Sequence, residues 1–340
     1  MIGTYVKQLL KLSRFDWSFI FAGLYFMVSL FYALNRYELI LGYLSMFLIA
    51  MGHLSVNGLS DRVTDSLNER KFSLQNPFAE QKNGEKVLLT PKIVYIWVSL
   101  LWLLALLLNI LFLPYNNLLK ISIAILFFSS SIIFSVIYSL PPIRLKGKPV
   151  IDLLSTFLVF GILFPVYSIF ITMRINFISN SLQVSTYIPF DIMIFGIYFN
   201  VSMLVGMHMP TVLGDLEYDK AAGDNTTAVY LGWDKGSKVT VLASLARTAG
   251  LTIIVTWLLY LRVLSTNFFM ILPYLLCLPD FYFDYQLWIH HDRQSAVNLW
   301  KSIISTSIAG GFVIGYLYFT KNPKLLNQYF EPLLKMFIRL

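Results

Sequence analysis

Runs of about twenty apolar residues recur along the whole chain, and no other feature narrows its fold as much. A helix crossing the hydrocarbon core of a bilayer needs about 20 mostly apolar residues. Nine such runs can be read, at roughly 16–34, 38–57, 93–114, 119–138, 151–172, 189–213, 239–261, 266–288 and 299–319. Charged residues make up 13% of the chain, against roughly a quarter in soluble domains. Hydrophobic residues make up 57%, which leaves ample apolar surface to bury and excludes a disordered chain. One cysteine, Cys277, excludes a disulfide-stapled secreted domain. The expected fold class is an all-α polytopic membrane protein, one domain over residues 1–340. A segment over 1–15, with Lys7, Lys11 and Arg14, reads as amphipathic and interfacial. Residues 320–340 read as a polar C-terminal tail.

The basic residues orient these spans. The N-terminus and the margins following spans 2, 4, 6 and 8 hold 17 Lys and Arg, whereas the loops after spans 1, 3, 5 and 7 hold four (Arg36, Lys120, Arg174 and Arg262). The positive-inside rule then places the N-terminus and the exits of the even spans in the cytoplasm. Four more in the tail fall on the opposite side and weigh less than the sum over loops. The net charge of +8 is thereby explained by loops, and no nucleic-acid partner is expected. Without a transit peptide, a prokaryotic plasma membrane is the expected location, with the active site facing the cytoplasm. Arg247 lies inside span 7, where an arginine is costly; it is expected to face the bundle and meet a partner.

Three polar clusters sit at the exits of even spans. Asn57, Asp61 and Asp65 follow span 2 at intervals of four. On an α-helix each such step turns the chain by only about 40°, so the three side chains stack on one face. Stacked carboxylates near a helix C-terminus repel one another and the helix dipole, and something cationic must offset them. A hard divalent cation with oxygen ligands meets that need. Asp215 and Asp219 repeat the spacing after span 6, with Glu217 turned toward solvent and Gly223-Asp224 reading as a helix stop. After span 4 comes Tyr138-Ser-Leu-Pro141-Pro142-Ile-Arg144-Leu-Lys146-Gly-Lys148. Its prolines end the helix, and its three cations suit a phosphate group. Carboxylates hold Mg²⁺, Mg²⁺ bridges phosphate oxygens, and Lys and Arg neutralise the remainder. The three clusters exit on one side, and their combination suits a diphosphate.

Asn57-xxx-Asp61-xxx-Asp65 resembles the first aspartate-rich motif of the UbiA superfamily of intramembrane prenyltransferases. Asp215-xxx-Asp219, continuing through Gly223-Asp224-Asn-Thr-Thr227 to Gly232, resembles the second, and Tyr138 to Lys146 resembles the turn between them. The order, the spacing and the span count agree over nearly the whole chain. The resemblance implies nine transmembrane helices around a central cavity open to the cytoplasm and laterally to lipid. It implies Mg²⁺-dependent transfer of an isoprenoid from a prenyl diphosphate to a hydrophobic or aromatic acceptor, within the lipid bilayer. By resemblance, Asp61, Asp65, Asp215 and Asp219 are the catalytic carboxylates. Together with Asn57 they are the Mg²⁺ ligands. Arg62, Tyr138, Arg144, Lys146 and Lys220 would contact the diphosphate, and Arg14 the acceptor; His53, four residues before Asn57 on the same helix face, is a further candidate for the acceptor by its position alone. Two departures concern the acceptor. Asn57-Gly58 stands where many members have Asn-Asp, and Asn68 to Phe78 lacks the usual Arg-Pro pair near Ser-Gly.

Two alternatives keep their place. A cyclase of the same fold, or a transferase with a non-aromatic acceptor, would use the same motifs. A transporter would need charges near the bilayer midplane and broken helices, whereas these charges gather at one face. The remaining histidines, His208 and His290-His291, do not suggest zinc, since four His and one Cys offer few soft ligands.

Overall fold

The computed structural model describes residues 2–30, 36–68, 76–78, 87–112, 118–163, 167, 175–178, 181–184, 206–262 and 264–324. The chain is overwhelmingly helical. Among the described residues its departure from an all-α fold is a two-stranded antiparallel hairpin, Ile175–Ile178 with Ser181–Val184, in register Ile175 to Val184 and Ile178 to Ser181. Among the described residues four helical stretches are long and apolar enough to cross a membrane: Ile40–Ser60, Pro91–Ile110, Thr227–Tyr260 and Arg293–Lys321. The end of span 1, the second half of span 5, most of span 6 and residues 325–340 of the tail lie outside the described residues.

The chain divides into two compact units, residues 1–200 with 215–230, and residues 201–214 with 231–340. In the first unit the helix Arg36–Ser60 is the central post. It packs along Pro91–Phe112 on one side and Phe15–Leu30 on another. Close approach is possible because Gly52 lies flat against the Trp102 indole, where a Cβ would stand 2.2 Å from Nε1. Small residues serve such contacts between helices in membranes. Polar side chains tie the same pair: Asn109 Nδ2 donates to Ser45 Oγ at 2.7 Å, and the Tyr167 hydroxyl donates to Asn109 Oδ1. Tyr167 also stacks on Phe127, with ring centroids 4.0 Å apart.

The N-terminal helix Ile2–Leu12 turns Tyr5, Leu9 and Leu12 onto protein. Leu12 is fully buried in a cluster with Val56, Leu59, Phe78, Leu89, Val94 and Val98. Ser13 then turns the chain: its hydroxyl meets Ser55 at 2.9 Å and accepts from Trp97 Nε1 at 2.8 Å. Arg14 follows with φ 44, so its side chain leaves the turn in a direction no helical residue could supply. On the outer side of Pro91–Phe112, Ile96, Leu100 and Leu103 are exposed, as a lipid-facing surface requires.

In the second unit, Arg247 is 1% exposed and does have its partner. It donates to Asp280 Oδ2 at 2.7 Å and to Ser307 Oγ at 2.7 Å. Asp280 also accepts from Ser302 and Thr306 at 2.6 and 3.1 Å. Gly206 leaves room for the Arg247 stem, 2.5 Å from where its own Cβ would be. Span 8 is not one helix. It runs as Phe268–Ile271, Leu272–Leu275 and Leu278–His290, because Pro273 and Pro279 each open a new segment by denying the helix a donor. Asp292 caps Arg293–Lys321, accepting from Ser295 N at 2.7 Å.

Candidate functional site

The first acidic cluster keeps its stacking through a break. The helix ends at Ser60, and Asp61 is the turn residue before a short helix Arg62–Leu67. The backbone ladder nevertheless continues, with Asp61 N to Asn57 O at 2.8 Å and Asp65 N to Asp61 O at 2.7 Å. Asn57, Asp61 and Asp65 therefore stay on one face. The second cluster is built likewise. Asp215 is the turn residue before Leu216–Ala222, and Asp219 N bonds to its carbonyl at 2.9 Å. Gly223, at φ 82, takes the left-handed conformation that closes the helix, and Asp224 N returns to Asp219 O at 2.9 Å. Glu217 is exposed, as expected.

The cationic loop meets both clusters, all within the first unit. The helix Leu118–Ser139 stops before Pro141-Pro142, and Ser60 Oγ donates to the Ser139 carbonyl at 2.5 Å, fixing the loop to the end of the Arg36–Ser60 helix. Lys146 forms an ion pair with Asp61 and donates to Asn57 Oδ1 at 3.2 Å. Arg144, held at φ 40, pairs with Asp224 at 2.8 Å and stands 4.0 Å from Asp61. Arg14 stands 3.8 Å from the Asp65 carboxylate. Burial pushes the Lys146 ammonium down to about 7, with Arg14 adding to the effect and Asp224 and Asp219 pulling against it. Little water reaches this ammonium, which is the condition under which its charge acts most strongly on a bound anion.

Neutral donors orient the remaining carboxylate oxygens. Asn68 Nδ2 donates to Asp215 Oδ1 at 2.8 Å and joins the first cluster to the second. Asn76 Nδ2 donates to Asp65 Oδ2 and to the Gly58 carbonyl, both at 2.8 Å. Thr226 donates to Asp219 at 3.3 Å, and Thr64 to Asp224 at 3.4 Å. Asp65 is fully buried and Asp215 is 6% exposed. Gly58 is explained by packing: a Cβ there would lie 2.8 Å from Leu12 Cδ1.

Of the expected site residues, Asn57, Asp61, Asp65, Asp215, Asp219, Arg144, Lys146 and Arg14 are brought into this net. Arg14 joins it through the first acidic cluster. His53 sits one turn above Asn57; its Nδ1 lies 2.8 Å from Ser135 Oγ, and its ring lies 6.0 Å from that of Tyr138. Arg62 and Lys220 are exposed and stand outside the net. Being one residue after Asp61 and Asp219 respectively, they turn about 100° away from the carboxylate face. Sequence reasoning missed Asp224 as an ion-pair partner, and Asn68 and Asn76 as donors to the carboxylates. The carboxamides could have been sought as short polar side chains beside an acidic motif.

Among the described residues no three acidic, histidine or cysteine side chains converge as a preformed metal cage. The donor set still fits Mg²⁺. It consists of hard oxygens, and Mg²⁺ characteristically takes one or two carboxylates together with substrate phosphates and water.

No protein-family model matches the sequence, and no curated protein matches it. Solved structures do match. A UbiA homologue from Archaeoglobus fulgidus, bound to DMAPP and Mg²⁺, is similar at 17% identity and TM-score 0.56, covering 91% of this chain and 99% of that one. A digeranylgeranylglyceryl phosphate synthase is similar at 13% identity and TM-score 0.58, covering 93% and 99%. The apo form of a UbiA homologue from Aeropyrum pernix K1 is similar at 13% identity and TM-score 0.55, covering 90% and 98%. The chain has the fold of the UbiA homologues.

Proposed function

We propose that this protein is an integral membrane prenyltransferase, moving an isoprenoid from its diphosphate to a hydrophobic or aromatic acceptor in a Mg²⁺-dependent reaction. The observation that carries this reading is the meeting of Lys146 with Asp61 and of Arg144 with Asp224. Three segments far apart in sequence, two acidic and one basic, come together with the two kinds of group a metal diphosphate needs. The fold shared with homologues crystallised with DMAPP or GPP and Mg²⁺ supports the same reading.

Asp61, Asp65, Asp215 and Asp219, with Asn57, would hold Mg²⁺. When bound, the metal supplies Lewis-acid stabilisation of charge on the diphosphate oxygens. The chain's own residues do the rest. Lys146 and Arg144 neutralise the diphosphate as the allylic C–O bond breaks and the electron pair leaves with it. Asn68, Asn76 and Thr226 fix the carboxylates, so that little reorganisation is needed as charge develops. The allylic cation is intercepted by the acceptor, which forms the new bond and loses a proton to a carboxylate or water. Exclusion of water from the cavity prevents hydrolysis of the cation. The apolar runs of the sequence support a multi-pass membrane location with nine spans, and the distribution of Lys and Arg supports a cytoplasmic active site.

The test is diphosphate release by purified protein in liposomes. Geranyl, farnesyl and geranylgeranyl diphosphates are supplied with Mg²⁺ and a panel of acceptors, with EDTA controls, and the lipid extract is analysed by mass spectrometry. Mg²⁺-dependent release with a prenylated product is expected. Release accompanied only by a cyclised hydrocarbon would replace the transferase by a cyclase. Absence of release with every donor would overturn the reading and return the transporter to first place.

A further inference from the structure

Asp152 takes no part in the site described above, yet it is 2% exposed and its carboxylate accepts three hydrogen bonds. Oδ2 accepts from Thr227 N at 2.9 Å, and Oδ1 accepts from Leu153 N at 2.7 Å and from the Thr227 hydroxyl. The Thr227 oxygen in turn accepts from Val150 N at 2.7 Å. Asp152 thus caps the start of the helix Thr227–Tyr260 from a distant segment, a favourable place for a negative charge.

Its position gives the cap a further consequence. Asp152 N bonds to the Lys148 carbonyl at 3.1 Å, two residues beyond Lys146. Thr226, next to Thr227, donates to Asp219. Asp152 and Thr227 therefore pin the end of the cationic loop to the end of the second acidic cluster. Val150 is held at φ 69, where a β-branched residue persists only if its surroundings over-determine it. The bond from Val150 N to Thr227 is such a restraint.

We infer that Asp152 and Thr227 form a clamp that holds the loop of Arg144 and Lys146 beside the second acidic cluster, so that the diphosphate and its metal are received in a preset geometry. Asp152 is a positioning residue. The inference rests on the prenyl diphosphate reading of the site.

The experiment compares wild type with Asp152→Asn, Thr227→Val, their double variant and Thr227→Ser. The readouts are the Mg²⁺ midpoint for diphosphate release, KM for farnesyl diphosphate, kcat, and the melting temperature. Loss of an orienting partner around a metal site typically costs 10- to 100-fold in metal affinity or activity. Asp152→Asn and Thr227→Val should each raise the Mg²⁺ midpoint and KM by about tenfold. The double variant should be no worse than the poorer single, because the two residues act as one unit. Thr227→Ser keeps the hydroxyl and should restore the wild-type midpoint. A purely structural role would lower the melting temperature while leaving midpoint and KM unmoved, and that result overturns the clamp while the prenyl diphosphate reading stands. Should Asp152→Asn not be recovered folded, Thr227→Val carries the test, since it changes no charge. A wild type without Mg²⁺-dependent release removes the reading and the clamp together.

Discussion

Replacing Arg247 with Met should cost the second unit several kcal/mol, and the structure sets the scale. Arg247 is 1% exposed and Asp280 is fully buried, so neither charge can recruit water if the other is removed. In the intact protein the guanidinium meets the carboxylate at 2.7 Å. After Arg247→Met, Asp280 keeps only its hydroxyl donors, Ser302 and Thr306. These are neutral and leave a full negative charge in an apolar bundle. Breaking a buried ion pair from one side costs about 3–5 kcal/mol. With about 2–4 °C lost per kcal/mol in a unit of this size, the apparent melting point should fall by ~6 °C or more. The double variant Arg247→Met with Asp280→Leu removes both charges and should recover most of the loss, since apolar replacements of buried pairs are often neutral. The assay is thermal unfolding of detergent-purified protein at one scan rate. A single variant melting within a degree of wild type would refute the argument, as would a double variant less stable than either single one.

Two further outcomes can be checked with the same preparations. Asp61→Asn and Asp215→Asn each remove a carboxylate from the proposed metal site, and transfer should fall by at least about a hundredfold with the protein still folded; turnover assays with size-exclusion profiles decide this. Gly52→Ala places a methyl among three Trp102 ring atoms, all within 2.8 Å, and should destabilise by about 1–3 kcal/mol, with Trp102→Leu in the same chain restoring part of it in a denaturant titration.

The site was legible in the sequence to the extent that its logic is local. A period of four residues puts Asn57, Asp61 and Asp65 on one face whether or not the helix is continuous, because the backbone bonds survive the turn at Asp61. The same holds for Asp215 and Asp219. Arg62 and Lys220, each one residue after an aspartate, turn away from the carboxylate face, because a neighbour in sequence on a helix is not a neighbour in space. What could not be read is whatever depends on meetings across the chain. Asp152 and Thr227 are 75 residues apart, and Asn68 and Asp215 are 147 apart. No periodicity reports on either pair. Span 8 failed by a different route. Hydropathy over 266–288 registers an apolar run but is blind to backbone donors, and Pro273 and Pro279 remove two of them.

Charge balance at the site leads to one more expectation. Five carboxylates, those of Asp61, Asp65, Asp215, Asp219 and Asp224, gather with three cations, Arg14, Arg144 and Lys146. The formal excess is two negative charges. A diphosphate bearing about three negative charges would enter against that excess, and poor screening in a buried site sharpens the repulsion. Two Mg²⁺ ions carry four positive charges, so metal and diphosphate together leave the site close to neutral. Diphosphate binding should therefore be coupled to Mg²⁺, each raising the affinity of the site for the other by the same factor. Calorimetric titration of inorganic pyrophosphate at constant ionic strength measures this directly. Affinity without metal should be at least about a hundredfold weaker than with millimolar Mg²⁺, near the upper end of ordinary coupling. Equal affinity in EDTA would mean that Arg14, Arg144 and Lys146 suffice for the anion, and that the aspartates serve some other purpose.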